Sequence, residues 1–197
     1  GGGITAYDSY LFLSNVTIAE NHAYTLGGGI AYAYCDIIFD TVGLCDIYCN
    51  YASTGTDILK GLGDDHLHIV LDTFTVKKPD YYHLHSSFGG IPPSDITWEI
   101  NEGKIETADQ NIFVSPTGNN ANTGLSPDDP VKDIWYALLK MESDSIQPDT
   151  IHVLPGTYKM SGGERYPLSL KRHVVIAGQH RDSCILDAED DIYHLHG

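Results

Sequence analysis

Gly27-Gly28-Gly29-Ile30 repeats, at an interval of 26 residues, the run Gly1-Gly2-Gly3-Ile4. Placing the two runs in register aligns Val16-Thr17-Ile18-Ala19-Glu20-Asn21-His22-Ala23 with Cys45-Asp46-Ile47-Tyr48-Cys49-Asn50-Tyr51-Ala52, once three residues are inserted in the second copy. Short apolar runs such as Leu11-Phe12-Leu13 and Ile37-Ile38-Phe39 lie between Gly, Asn and Asp turn signals, with no helix-length pattern among them. A unit this small cannot bury its apolar face alone and must stack on its neighbour. The expectation is an all-β chain built of parallel β-helix coils, with Ile18 and Ile47 in a shared core. Asn21 and Asn50 then lie one above the other, either bonding along the stack through their amides or serving as plain turn residues.

Beyond residue 60 the period breaks. Ile69-Val70-Leu71-Asp72-Thr73-Phe74-Thr75-Val76 reads as a strand, and Lys77-Lys78-Pro79-Asp80 and Pro92-Pro93-Ser94-Asp95 read as turns. Residues 61–110 are therefore expected to form an irregular β connecting segment. Further on, Asp128 or Asp129 can cap a helix with Pro130 in its first turn. Val131, Ile134, Trp135, Leu138 and Leu139 recur at helical spacing along one face. That stripe needs a surface, and the open end of a β-helix is a sheet edge that proteins normally cover. Short strand-like runs follow at 150–154, 168–170, 174–177, 183–186 and 192–195.

Eleven Lys and Arg stand against 27 Asp and Glu, a formal charge of -16. Such a chain repels phosphate backbones and anionic lipid, so nucleic-acid binding is not expected, whereas Ca²⁺ and cationic partners are favoured in general. No run approaches the roughly 20 apolar residues of a membrane helix, so no membrane insertion is expected. The recurrence of the glycine run suggests that Gly1 falls at the start of a repeat inside a longer protein. Cys35, Cys45, Cys49 and Cys184 match no zinc or redox spacing and are read as small buried residues, with a Cys45–Cys49 disulfide left open.

Several constellations are candidates for chemistry. His66 with His68, His83 with His85, and His194 with His196 are His-x-His pairs, and alternate residues of a strand share a face. Each pair offers two imidazoles, so a metal site needs further ligands, for which Asp64, Asp65, Asp80 and Asp191 are nearest in sequence. Exposed strand faces explain the pairs equally. Asp187, Glu189, Asp190 and Asp191 form a dense acidic cluster with Lys171, Arg172 and Arg181 nearby, which a solvated turn also explains. Neither a Gly-x-Ser-x-Gly elbow nor a phosphate-binding glycine loop is present. No residue is assigned as catalytic, cofactor-binding or metal-ligating, and calcium stays open as a cofactor. Tyr7, Tyr10, Tyr24, Tyr32, Tyr34, Tyr48 and Tyr51 offer aromatic surface to sugar rings, or ordinary strand packing.

The run from Ile112-Phe113-Val114-Ser115-Pro116-Thr117-Gly118-Asn119-Asn120 to Asp128-Asp129-Pro130 resembles the opening signature of bacterial secreted β-helix proteins of the pectin-lyase-like superfamily. Ile151-His152-Val153-Leu154-Pro155-Gly156-Thr157-Tyr158, Val175-Ile176-Ala177-Gly178 and Ile185-Leu186-Asp187-Ala188 continue it in order. That group includes an amino-terminal cap domain of unknown function, and the Gly-Gly-Gly-Ile repeats look like those of the same large surface proteins. Asn119-Asn120 and Asp133 depart from the pattern, which often has Asp and then Thr or Ser there. The resemblance implies right-handed coils, with residues 1–60 as the last coils of one stack. Residues 111–197 are then the cap helix and first coils of a second. It also implies an extracellular or cell-surface, non-catalytic module, structural or contacting polysaccharide, that meets neighbouring coils of a longer parent chain. The alternative it implies is a fragment of a calcium-dependent polysaccharide lyase or related glycosidase.

Overall fold

A computed structural model describes residues 1–62, 66–86, 96–142 and 145–189, and the chain divides into two compact units, Gly1–Glu106 and Thr107–Gly197. In unit 1 the first coil carries β1 (Ile4–Tyr7), β2 (Tyr10–Leu13) and β3 (Thr17–Ala19). The second carries β4 (Ile30–Ala33), β5 (Asp36–Phe39) and β6 (Cys45–Tyr48). The third has β7 (Ile58–Lys60) and β8 (Leu67–Val76), and the fourth β9 (Leu84–Ser86) and β10 (Ile96–Ile105). Strands stack in the sheet orders β1-β4-β7-β9, β3-β6-β8-β10 and β2-β5, every pair parallel. This is the expected parallel β-helix.

Stacking puts like on like. Ile4, Ile30, Ile58 and Leu84 follow one another down one sheet, and Ile18, Ile47 and Phe74 down another. Ile18 and Ile47 belong to one core cluster with Ile30, Ile58, Ile69 and Leu71, as the repeat register predicts. The glycine run is explained by close approach of coils: a Cβ on Gly28 would collide with the Thr56 carbonyl and the Tyr51 backbone nitrogen.

Residues 61–110, separated above as an irregular connector, carry β8, β9 and β10, each parallel-paired to the coil before it. The repeat continues there without its marker. The positions of Gly28-Gly29-Ile30 are taken by Thr56-Asp57-Ile58 and then Tyr82-His83-Leu84, so the glycine signal vanishes while the register persists. A bulge between Cys45 and Asp46 shifts the third coil further out of phase.

Unit 2 stacks β11 (Ile112–Val114), β12 (Asp149–Val153) and β14 (Val174–Gly178) in one parallel sheet. Its second sheet joins β13 (Gly156–Lys159) to β15 (Cys184–Asp187). Its one α-helix among the described residues, α1 (Ile134–Lys140), packs on β11 and β12 through buried Ile134, Trp135, Leu138 and Leu139. The helix begins later than expected. Pro130 lies before it, its carbonyl accepting from Asn119, and Val131 bridges to Val114 in extended backbone. All four cysteines are free thiols, Cys35 and Cys45 buried, so Cys45 and Cys49 are not joined.

Candidate functional site

The alternation of β2 decides which aromatic groups reach solvent. Leu13 is buried and Leu11 packs against the core, so Tyr10 and Phe12 must face outward. They are 63% and 53% exposed. On the next rung Tyr10 lies over Asp36 and Phe12 over Ile38, which is also exposed. At the adjoining corner Tyr7 and Tyr34 meet edge to face with centroids 5.5 Å apart. Tyr34 holds a left-handed backbone (φ 53°), which turns the chain there. Exposed rings that lie side by side, and not singly, make this face a candidate contact surface. Beside this face a cavity of about 250 Å³ is lined by Tyr32, Asp36, Ile38, Lys60, His66 and Leu67.

Of the tyrosines singled out from sequence, Tyr7, Tyr10, Tyr24 and Tyr34 are exposed, but Tyr32 and Tyr51 are core residues. Tyr48 is half-buried, with the Lys104 ammonium 4.7 Å from its ring centroid. Phe12 escaped a search confined to tyrosine. The alternation Tyr10-Leu11-Phe12-Leu13 was the signal that could have found it.

Neither of the two described His-x-His pairs is brought to a common site. His66 is exposed beside the cavity, while His68 meets Thr97 Oγ1 at 2.8 Å and Glu99 at 3.5 Å. His83 is buried, its Nδ1 2.9 Å from Asp80 Oδ1, whereas the partly exposed His85 lies 3.0 Å from the Tyr81 hydroxyl. His194, His196, Asp64, Asp65, Asp190 and Asp191 lie outside the described residues. Among the described residues no three His, Cys, Asp or Glu side chains gather as metal ligands. Asp187 and Glu189 instead surround Lys159, at 3.5 and 3.8 Å, and Glu189 accepts from the Ser161 amide and hydroxyl. Lys171 is buried and donates to the Met141 carbonyl at 2.6 Å, and the exposed Arg181 meets its own neighbour Asp182.

The helix terminus holds a group that sequence reasoning missed. Neither Asp128 nor Asp129 caps α1. Glu164, from a turn about thirty positions downstream, accepts from the Ile134 amide at 2.8 Å and the Trp135 amide at 3.0 Å. No local spacing could reveal this. Burial pushes the Glu164 carboxyl up to about 7, against the opposing pull of those amides. A carboxyl raised in the fold contributes stability that is complete below its unfolded value near 4.5 and lost as pH rises through about 7. Unit 2 is therefore expected to gain stability on acidification from pH 8 to 5. Hydrogen exchange at β12 amides across that range checks this, and Glu164→Gln should flatten the trend.

The family described as "Protein of unknown function (DUF1565)" matches residues 116–186, inside unit 2. No curated protein matches the chain, and no solved structure does. Fold and match together describe a parallel β-helix chain whose second unit includes a stretch similar to that family.

Proposed function

We propose that this chain is a non-catalytic, glycan-contacting module of a bacterial extracellular or cell-surface protein, with the outer face of β2 and β5 as its contact surface. The exposed pair Tyr10 and Phe12, backed by Tyr7, Tyr34 and Ile38, carries the reading. Flat rings spaced along a rigid parallel sheet offer the stacking platform that the apolar face of a pyranose needs, at little entropic cost. The charge of -16 disfavours acidic polymers, so the glycan is a neutral one. The cavity next to Ile38, lined by both apolar and polar side chains, supports the same reading, since a sugar presents an apolar face together with hydroxyls that need donors and acceptors.

Affinity electrophoresis through gels cast with neutral or uronic-acid polysaccharides tests this. Retardation is expected in a neutral gel. Tyr10→Ala combined with Phe12→Ala should weaken binding on the order of tenfold, about 1.4 kcal/mol, with an unchanged circular dichroism spectrum. Equal mobility in every gel would sink the reading. Release of unsaturated products from a uronic-acid polymer would replace it with the lyase alternative.

A further inference from the structure

One corner of unit 1 is lined, coil after coil, by Gly3, Gly29, Asp57 and His83. The Gly29 amide donates to the Asp57 carbonyl at 3.0 Å, and the Asp57 amide to the His83 carbonyl at 3.1 Å. In the upper coils no side chain fits: a Cβ on Gly29 would sit 2.7 Å from the Asp57 carbonyl oxygen and 2.9 Å from Asn50 Nδ2. In the third and fourth coils the same corner takes a carboxyl and an imidazole, 0% and 1% exposed. Asp57 Oδ1 accepts from the Asn50 amide at 3.2 Å and from Asn50 Nδ2 at 3.1 Å. Its Oδ2 is buried and makes no hydrogen bond among the described residues, and neither does His83 Nε2. The other ring nitrogen, Nδ1, faces Asp80 Oδ1 at 2.9 Å.

Two orphaned polar atoms in one buried corner are costly, and the cost depends on charge. A carboxylate beside a neutral ring buries one uncompensated negative charge. A neutral acid beside a neutral ring, or a carboxylate beside an imidazolium, does not. Both favourable states hold the same single proton. We propose that Asp57 is a proton-linked latch, holding at the corner it forms with His83 one proton whose loss loosens the join between the third and fourth coils.

Other ionisable groups at this corner are Asp80 on His83, Tyr82 beside it, Cys49 and Tyr51 from the coil above, and His22 against the Tyr51 ring. Burial, the largest effect, pushes the Asp57 carboxyl up to about 6, against the opposing pull of His83, the Thr75 hydroxyl and the Asn50 bonds. The latch is therefore closed below the unfolded value near 3.8 and opens as pH rises through about 6. Its amide reporters are Thr56, bonded to the Tyr82 carbonyl, and Asp57 and Ile58, both bonded to the His83 carbonyl.

Nuclear magnetic resonance on the full chain tests this, following the Asp57 carboxyl carbon and the exchange of those three amides. The Asp57 carboxyl is expected to titrate in one step within about one unit of pH 6. Across that step, exchange of the Asp57 and Ile58 amides should accelerate at least tenfold beyond the intrinsic effect of pH. Asp57→Asn keeps an acceptor for Asn50 and should abolish both the step and the acceleration, and His83→Gln should move the Asp57 titration. An Asp57 carboxyl that titrates near pH 4, or that is indifferent to His83→Gln, overturns the proposal. Should either variant fail to fold, the wild-type Asp57 titration alone decides between a value near 6 and one near 4.

Discussion

Trp135→Ala is expected to destabilise unit 2 by about 3–5 kcal/mol, the range for removing a large buried aromatic side chain. Only 6% of Trp135 is exposed, and further contacts of its indole are lost with it. Its indole Nε1 donates to the Gly163 carbonyl at 3.0 Å, and the Arg165 guanidinium lies 4.0 Å from its ring centroid. Its own backbone amide is held by Glu164. One side chain therefore ties the start of α1 to the turn that caps it. Denaturant unfolding followed by circular dichroism, with hydrogen exchange at β12 amides to isolate unit 2, measures the loss. Trp135→Phe should lose less, since most of the packed volume survives while the bond to Gly163 does not. A midpoint unchanged in Trp135→Ala would show that the helix stripe is not part of the unit 2 core.

What could be read from residues alone was whatever repeats or alternates. The two glycine runs placed Ile18 over Ile47 and Asn21 over Asn50, and the helical spacing of Ile134, Trp135, Leu138 and Leu139 located a buried stripe. The later coils were hidden for a physical reason. A coil register is maintained by backbone hydrogen bonds, which any residue supplies, while the visible marker was glycine, needed only where coils approach too closely for a side chain. Once Asp57 and His83 occupy that corner the marker is gone and the stacking is not. Contacts across coils were equally invisible, because Glu164 and the helix terminus that it caps are far apart in sequence. The aromatic face was half legible. Composition pointed at tyrosines in general, but the direction of each one depends on its place in a strand, which sets Tyr10 outside and Tyr32 inside.

Asn50→Ala should cost unit 1 about 3–5 kcal/mol, comparable to breaking a buried charge-bearing network. Asn50 is fully buried and every polar atom of its amide is used. Its Oδ1 accepts from the Asn21 amide at 3.1 Å and from Asn21 Nδ2 at 3.0 Å. Its Nδ2 donates to the Ile18 carbonyl at 2.9 Å and to Asp57 Oδ1 at 3.1 Å. Alanine leaves the Ile18 carbonyl without this donor and strips one donor from a carboxyl that burial already penalises. The neighbouring coil gives the control. Asn21 is only partly buried, and its side chain donates one hydrogen bond, to Asn50 Oδ1, so Asn21→Ala should lose only about 1 kcal/mol. Part of the Asn50→Ala loss should be recovered below pH 5, where a protonated Asp57 no longer needs the missing donor. Urea unfolding of both variants at pH 4.5 and 7.5 reads the three effects together. Equal losses for Asn21→Ala and Asn50→Ala would show that the ladder acts at the surface and not through the buried corner.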